Sequence, residues 1–281
     1  MIKTSRQLKD LVRNRSNGNS AVAQVIIRNY IMERFLERVS LSGYKDHLVF
    51  KGGLMVSAIV GLDNRSTMDI DTTIKGIDLT ADEVTEIIKE IIAIRLDDGI
   101  SFQISSVTSI MEEAEYPGIR ASLEAYLDNM RTPLKIDFST GDTVTPREIE
   151  YQYPLMFEKR SINILAYNVE TIIAEKLETI ITRSTANTRM RDFYDICILS
   201  DTVDINYDVL SAAYAATCKT RKTEQINQRR TEILEQIKND AGLNELWENY
   251  QRKYHFAGEY TWYDVMSKLD MLITKVSHRN I

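Results

Sequence analysis

The sequence predicts an α/β N-terminal lobe followed by a helical C-terminal lobe. Three observations carry this prediction. Helical and strand patterns alternate through the first hundred or so positions, a β-rich stretch with turn residues fills the middle, and from Asn168 onward only helical periods occur. The change near 167 divides the chain into an α/β lobe, 1–167, and a helical lobe, 168–281, expected to complete an active site.

The first expected element is a helix from about Ser20 to Val39, where Val22, Val25, Ile26, Tyr30, Ile31, Phe35 and Leu36 recur at helical spacing. A short strand, Leu48 to Phe50, leads into Gly52-Gly53 and a small apolar helix. Met68 to Ile74 reads as a strand, and Thr80 with Glu83 reads as a capping box opening a helix that runs to about Arg95. Strands are expected at Phe102–Ile110, Ile119–Leu127, Leu134–Phe138 and Ile162–Ala166, with turns around Pro117-Gly118 and Thr132-Pro133. Helices follow at about 168–183, 189–200, 206–218, 223–240, 243–254 and 262–277.

Composition narrows the function classes. The 281 residues are 43% hydrophobic and 27% charged, an ordinary globular balance. The net charge of −6 gives no global field for nucleic acid, so any such contact must come from a local basic patch. Cys197 and Cys218 are too few for a disulfide framework, and histidines at 47, 255 and 278 make no zinc pattern. Met1 to Asp10 has no apolar core like that of a signal peptide, and no stretch is apolar enough to cross a bilayer. These features fit a protein of the reducing cytoplasm with no membrane partner.

The sharpest chemical feature is Asp69-Ile70-Asp71. On a strand, positions i and i+2 face the same way, so two carboxylates would stand side by side. Like charges that close repel unless a cation lies between them, and Mg²⁺ (or Mn²⁺) accepts such oxygen ligands while sharing them with substrate phosphates. Asp137, on the strand Leu134 to Phe138, is the candidate third ligand. Upstream, Lys51-Gly52-Gly53 precedes a helix. Glycines there let the backbone approach a phosphate at the helix N-terminus, with Arg65 as a bidentate fork; the bland alternative is a plain tight turn.

On the helix expected at 168–183, Lys176 shares the face of Ile172 and Ile173, and on the next helix Asp192 lies on the stripe of Ile196 and Leu199. Such inward charges want partners, and Lys176 and Arg191 are the cations available to Asp192. Removal of Lys176 is expected to leave the fold intact. Lys219, Arg221, Lys222, Arg229 and Arg230, against the single acid Glu224, form a basic stretch that fits either an RNA backbone or a solvated helix corner.

Taken together, Lys51-Gly52-Gly53, Arg65-Ser66-Thr67-Met68-Asp69-Ile70-Asp71, Ala174-Glu175-Lys176-Leu177 and Arg191-Asp192-Phe193-Tyr194-Asp195 resemble the four signatures of the AbiEii/AbiGii abortive-infection toxins. The resemblance implies a DNA polymerase β-like nucleotidyltransferase core, a nucleoside triphosphate donor with Mg²⁺, and tRNA as acceptor, nucleotides being added to its acceptor end so that translation stops. It places the metal aspartates at Asp69 and Asp71 and the catalytic lysine and aspartate at Lys176 and Asp192, and the residue reading sets Gly52, Gly53, Arg65 and Lys176 toward the nucleotide. It also implies a separate antitoxin with a DNA-binding domain that forms no stable complex with the toxin. Some relatives carry Ser or Thr where this chain has Leu54, which removes one hydroxyl contact. Two rivals stand beside this reading: transfer to a protein hydroxyl, and a non-catalytic nucleotide-binding module.

Overall fold

The structure is a computed structural model and describes residues 1–110 and 118–277. Pro117 and His278, named above, lie outside the described residues. The architecture is mixed α/β, with one seven-stranded sheet and, among the described residues, eleven α-helices. The chain divides into two compact units. The first comprises Met1–Ala58, Ser66–Gly141 and Ile149–Ala166; the second comprises Ile59–Arg65, Asp142–Glu148 and Tyr167–Ile281.

The first unit carries the sheet. Its strands are β1 (Leu48–Lys51), β2 (Ile70–Ile74), β3 (Ile100–Ile110), β4 (Gly118–Leu127), β5 (Met130–Ser139), β6 (Ile149–Pro154) and β7 (Ser161–Ala166), in the order β3-β4-β5-β2-β1-β7-β6. β2 pairs antiparallel with β1 and parallel with β5, so β1 and β2 lie inside the sheet with neighbours on both sides. β4 and β5 form a hairpin closed by two residues, with Asp128 at φ 50° taking the left-handed conformation that such turns need. Thr132-Pro133 therefore falls inside β5, not in a turn. β2 covers only Ile136 to Ser139, so Pro133 sits where β5 has β4 alone beside it, the setting in which a strand tolerates proline.

β6 was not foreseen. Its segment Ile149-Glu150-Tyr151-Gln152-Tyr153-Pro154 alternates weakly and ends in proline, and it gains strand form by pairing with β7. The helix α1 (Ser5–Arg15) was also missed, because only Leu8 and Val12 are buried and the apolar signal is thin. Thr4 opens it with a full capping box to Gln7. Arg6, Lys9 and Arg13 line its outer side.

Helix α2 (Ser20–Leu41) buries more than an apolar stripe. Arg38 is 2% exposed and donates to both carboxylate oxygens of the fully buried Asp98, at 2.8 and 3.0 Å, and to the Ile100 carbonyl. A buried cation survives there only because it is paired and hydrogen-bonded. The helix α3 (Gly52–Val60) follows β1 directly, and α4 (Ala81–Ala93) is capped by Thr80, whose hydroxyl accepts from the Glu83 amide.

The second unit is helical: α5 (Val169–Arg183), α6 (Met190–Thr202), α7 (Tyr207–Arg221), α8 (Glu224–Asn227), α9 (Arg230–Lys238), α10 (Ala241–Lys253) and α11 (Trp262–Ser277). α5 starts at Asn168, whose side chain accepts from the Thr171 amide and donates to the carbonyls of Thr145 and Arg147. Those bonds tie the segment Asp142–Glu148 to the helical unit. The single helix expected over 223–240 is broken into α8 and α9. Both cysteines are free and buried, and burial pushes each thiol up to about 12, leaving them unreactive near neutral pH.

Candidate active site

β1 delivers its chain into Gly52 at φ 62°, a left-handed conformation suited to glycine. A second constraint acts at the same residue: a Cβ on Gly52 would fall 2.4 Å from Oδ2 of Asp71. The Asp71 carboxylate therefore rests against bare backbone where β1 turns into α3, and this close approach requires the glycine. Gly53 lies in the first turn of α3, and Leu54 is fully buried beneath it. Gly52→Ala is expected to push the carboxylate aside and strain the backbone. Transfer should fall by about 100-fold, the usual cost of a misplacement near 1 Å, while circular dichroism stays that of the wild type. Unchanged activity would detach Gly52 from the site.

Asp69 stands just before β2, in a bend, so the strand expected from Met68 begins two residues later. Its carbonyl accepts from the Thr67 hydroxyl at 3.2 Å. Both Asp69 and Asp71 are partly exposed. The strand registers then reveal a row that sequence reading did not assemble. Lys51 pairs with Asp71, Asp71 with Asp137, and Asp137 with Arg120, across β1, β2, β5 and β4. Register partners share a face, so a lysine, two aspartates and an arginine stand side by side. Arg120 closes on Asp137 with Nε at 2.7 Å from Oδ1 and Nη2 at 2.6 Å from Oδ2.

That bidentate pair bears on the expectation of Asp137 as a third metal ligand. Both of its oxygens are engaged by a guanidinium, and among the described residues no group of three or more His, Cys, Asp or Glu side chains is placed to hold a metal ion. The residues still fit a divalent ion. Asp71 is an oxygen donor against a glycine backbone, with Asp69 a second carboxylate two residues earlier, and Mg²⁺ is commonly held by one or two carboxylates plus substrate phosphates and water. Arg120 was missed because its role depends on pairing with a strand seventeen positions away.

The second unit holds a buried charge cluster. Lys176, 8% exposed, donates to Oδ1 of Asp192 at 2.8 Å and meets Oδ2 of Asp195 at 2.7 Å. Asp195, fully buried, also accepts from Arg65, Nε at 2.6 Å and Nη2 at 3.2 Å. Arg189 donates to Asp192 at 2.9 Å. Burial alone would push the Lys176 ammonium down, but the carboxylates of Asp192 and Asp195 outweigh it and hold its pKa above the ordinary lysine value. Burial would likewise raise both aspartates, and the cations, Lys176 foremost, bring them below the usual carboxylate range.

Three expectations change here. Arg65 is 4% exposed and bound to Asp195, so its fork is directed at a protein carboxylate and not at a triphosphate. The arginine beside Asp192 is Arg189, while Arg191 points outward. Lys176 joins two helices through two carboxylates, so its removal is not free of structural cost. Asp195 had a legible signal: it lies three residues after Asp192, on the same helical face.

The basic stretch is dispersed. Arg221 is bound by Glu178 at 2.6 Å, Thr179 at 3.0 Å and Glu175 at 3.3 Å, stitching α7 to α5. It is thus a structural cation, which corrects its place in an RNA surface. Arg229 pairs with Glu232, and Arg230 donates to the Asn227 carbonyl. Lys219 and Lys222 are exposed, and Lys222 ends α7 at φ 56°.

The described residues include no helix long and apolar enough to cross a membrane. The model of the family described as nucleotidyl transferase AbiEii toxin, type IV toxin–antitoxin system, matches residues 34–270. The chain belongs to the AbiEii family. That span includes every signature residue named above, from Lys51 to Asp195. No curated protein matches the chain. Among solved structures, a presumptive nucleotidyltransferase from H. pylori is 15% identical, covering 92% of this chain and 98% of its own, at a TM-score of 0.49. JHP933 from Helicobacter pylori is 16% identical, covering 91% and 94%, also at 0.49. As an AbiEii member the chain is a nucleotidyltransferase toxin of mixed α/β fold.

Proposed function

We propose that this AbiEii protein transfers a nucleotidyl group from a nucleoside triphosphate to the 3′ end of RNA, with tRNA as acceptor, and so blocks translation. The observation that carries this reading is the seating of the Asp71 carboxylate against Gly52, two residues after Asp69. Asp69 and Asp71 would hold Mg²⁺ or Mn²⁺, which when bound neutralises the triphosphate and lowers the pKa of an attacking hydroxyl. Gly52 and Gly53, at the start of α3, have no side chains to keep phosphate oxygens from the backbone there. The acceptor hydroxyl oxygen bonds to the α-phosphorus as pyrophosphate leaves. Lys176 and Asp192 are assigned to the same chemistry as the AbiEii lysine and aspartate, Asp192 fixing the ammonium it binds. The partner is a cognate antitoxin with a DNA-binding domain, acting without a stable complex.

The test offers the protein total RNA and a mixture of proteins, with one labelled triphosphate at a time and added Mg²⁺ or Mn²⁺. Label in tRNA is the expected result. Label confined to protein would replace the acceptor, and no labelled macromolecule under any condition would overturn the enzyme reading.

The acceptor surface has its own test, redrawn by the structure. Lys219→Gln, Lys222→Asn and Arg229→Gln together remove three exposed cations while sparing Arg221; asparagine suits the left-handed backbone at 222. RNA labelling should weaken, with a log–log salt slope flatter by about one unit per lost phosphate contact. Nucleotide affinity should not change. An unchanged slope would return these residues to a solvated corner.

A further inference from the structure

The segment Tyr250-Gln251-Arg252-Lys253-Tyr254-His255-Phe256 closes α10 and has no part in the chemistry above. Its aromatic rings form a ladder that climbs from the core to the surface. Trp247, 1% exposed, stacks on Tyr250 with centroids 5.6 Å apart and planes at 24°. Tyr250 meets Tyr254 at 4.8 Å, and Tyr254 stacks on Phe256 at 5.4 Å and 26°. Tyr250, Tyr254 and Phe256 are all partly exposed. A cluster serving only to fill a core would bury its outer rings; here they reach solvent in a near-parallel pair.

A cation lies over that pair. Lys253 sets its ammonium 5.3 Å from the Tyr254 ring centroid, so a flexible, exposed side chain lies over that ring. Arg252, the preceding residue, is exposed and donates to the Asn249 side-chain oxygen at 2.5 Å. The inner side of the ladder abuts the charge cluster. Tyr194 packs 4.9 Å from Phe256 and donates to the Asn64 carbonyl, and the residues that follow these two in the chain, Asp195 and Arg65, form the buried pair. Aromatic rings with an exposed cation over them, packed on Tyr194 whose chain neighbour Asp195 binds Lys176, match the needs of a nucleotide: a ring for the base and an ammonium for its phosphate.

We propose that Tyr254 and Phe256 form a stacking platform for a nucleobase, with Lys253 moving off the Tyr254 ring to meet the attached phosphate. The proposal rests on the nucleotidyltransferase reading and extends it to base recognition. Two sources share this chemistry, the donor triphosphate and the unpaired end of the RNA acceptor. Stacking accepts every base, so the platform holds a nucleotide without choosing among the four.

The test measures binding, so it does not depend on turnover. The full chain and the variants Tyr254→Leu and Phe256→Leu, which keep apolar bulk and lose the ring, are titrated with ATP, GTP, CTP and UTP and with a short single-stranded oligoribonucleotide. Each Leu variant is expected to lose about tenfold or more in affinity for one probe, and Tyr254→Phe to keep wild-type affinity. Loss confined to the triphosphates assigns the donor base, and loss confined to the oligonucleotide assigns the acceptor base. The wild type is titrated alongside with inorganic triphosphate and with an abasic oligomer of equal charge, a comparison that stands even if a Leu variant misfolds. It should prefer the base-bearing partner by a similar factor. Folded Leu variants that bind every probe like the wild type would overturn the platform, as would a wild type indifferent to the base. Base preference without any nucleotide transfer would leave the platform standing and remove the enzymatic reading.

Discussion

Asp71→Asn is expected to reduce nucleotide transfer by about 10³-fold or more. The substitution keeps the shape of the side chain and its place against Gly52 and removes its charge. A carboxylate that binds a divalent ion supplies several kcal/mol of transition-state stabilisation through it, and each 1.4 kcal/mol is about a factor of ten. Asp69→Asn should behave alike. Asp137→Asn should differ, because its carboxylate is bound by Arg120, and the Mg²⁺ concentration for half-maximal rate should stay where the wild type has it. The measurement is single-turnover transfer against Mg²⁺ for the three variants. Retention of transfer by Asp71→Asn would remove the metal site from this position. A loss at Asp137 equal to that at Asp71, with a raised Mg²⁺ requirement, would make Asp137 a ligand after all.

The second large effect is on stability. Asp195→Ala leaves Arg65 and Lys176 buried with one carboxylate fewer, and removing one partner of such a pair costs about 3–5 kcal/mol. Lys176→Met is expected to cost less, because Arg65 and Arg189 still neutralise the two aspartates. The pH dependence follows from the same shifts. Asp192 and Asp195 have folded pKa values below their unfolded ones, so their contribution is present above about pH 4 and fades as pH falls through the folded values. Lys176 has a raised value, so its contribution is present below about pH 10 and fades as pH rises through the folded pKa. Between these limits the cluster should be at full strength. Denaturant unfolding of the wild type and Asp195→Ala across pH checks this. A variant as stable as the wild type at neutral pH would show that the cluster is not needed to hold the helices.

The chain itself determined much of this. The helical periods after Asn168, the strand-glycine-helix sequence at Leu48 to Val60 and the hairpin-rich middle follow from local patterning, and the structure repeats them because burial and backbone hydrogen bonding enforce the same periods. Family membership was legible too, because Lys51-Gly52-Gly53, Asp69, Asp71, Lys176 and Asp192 are contiguous motifs in fixed order. Other features depended on pairing between distant segments. β6 is a strand because β7 lies beside it, and Pro133 is inside a strand because β2 stops short of it. Arg120 reaches Asp137 only through the β4–β5 register, Arg65 is brought to Asp195 from far along the chain, and Arg221 is consumed by Glu178 on α5. A charge in a sequence shows what it could bind. Which counter-charge it meets is fixed by the tertiary arrangement, because an ion pair forms only within a few ångströms and buried charges must find one.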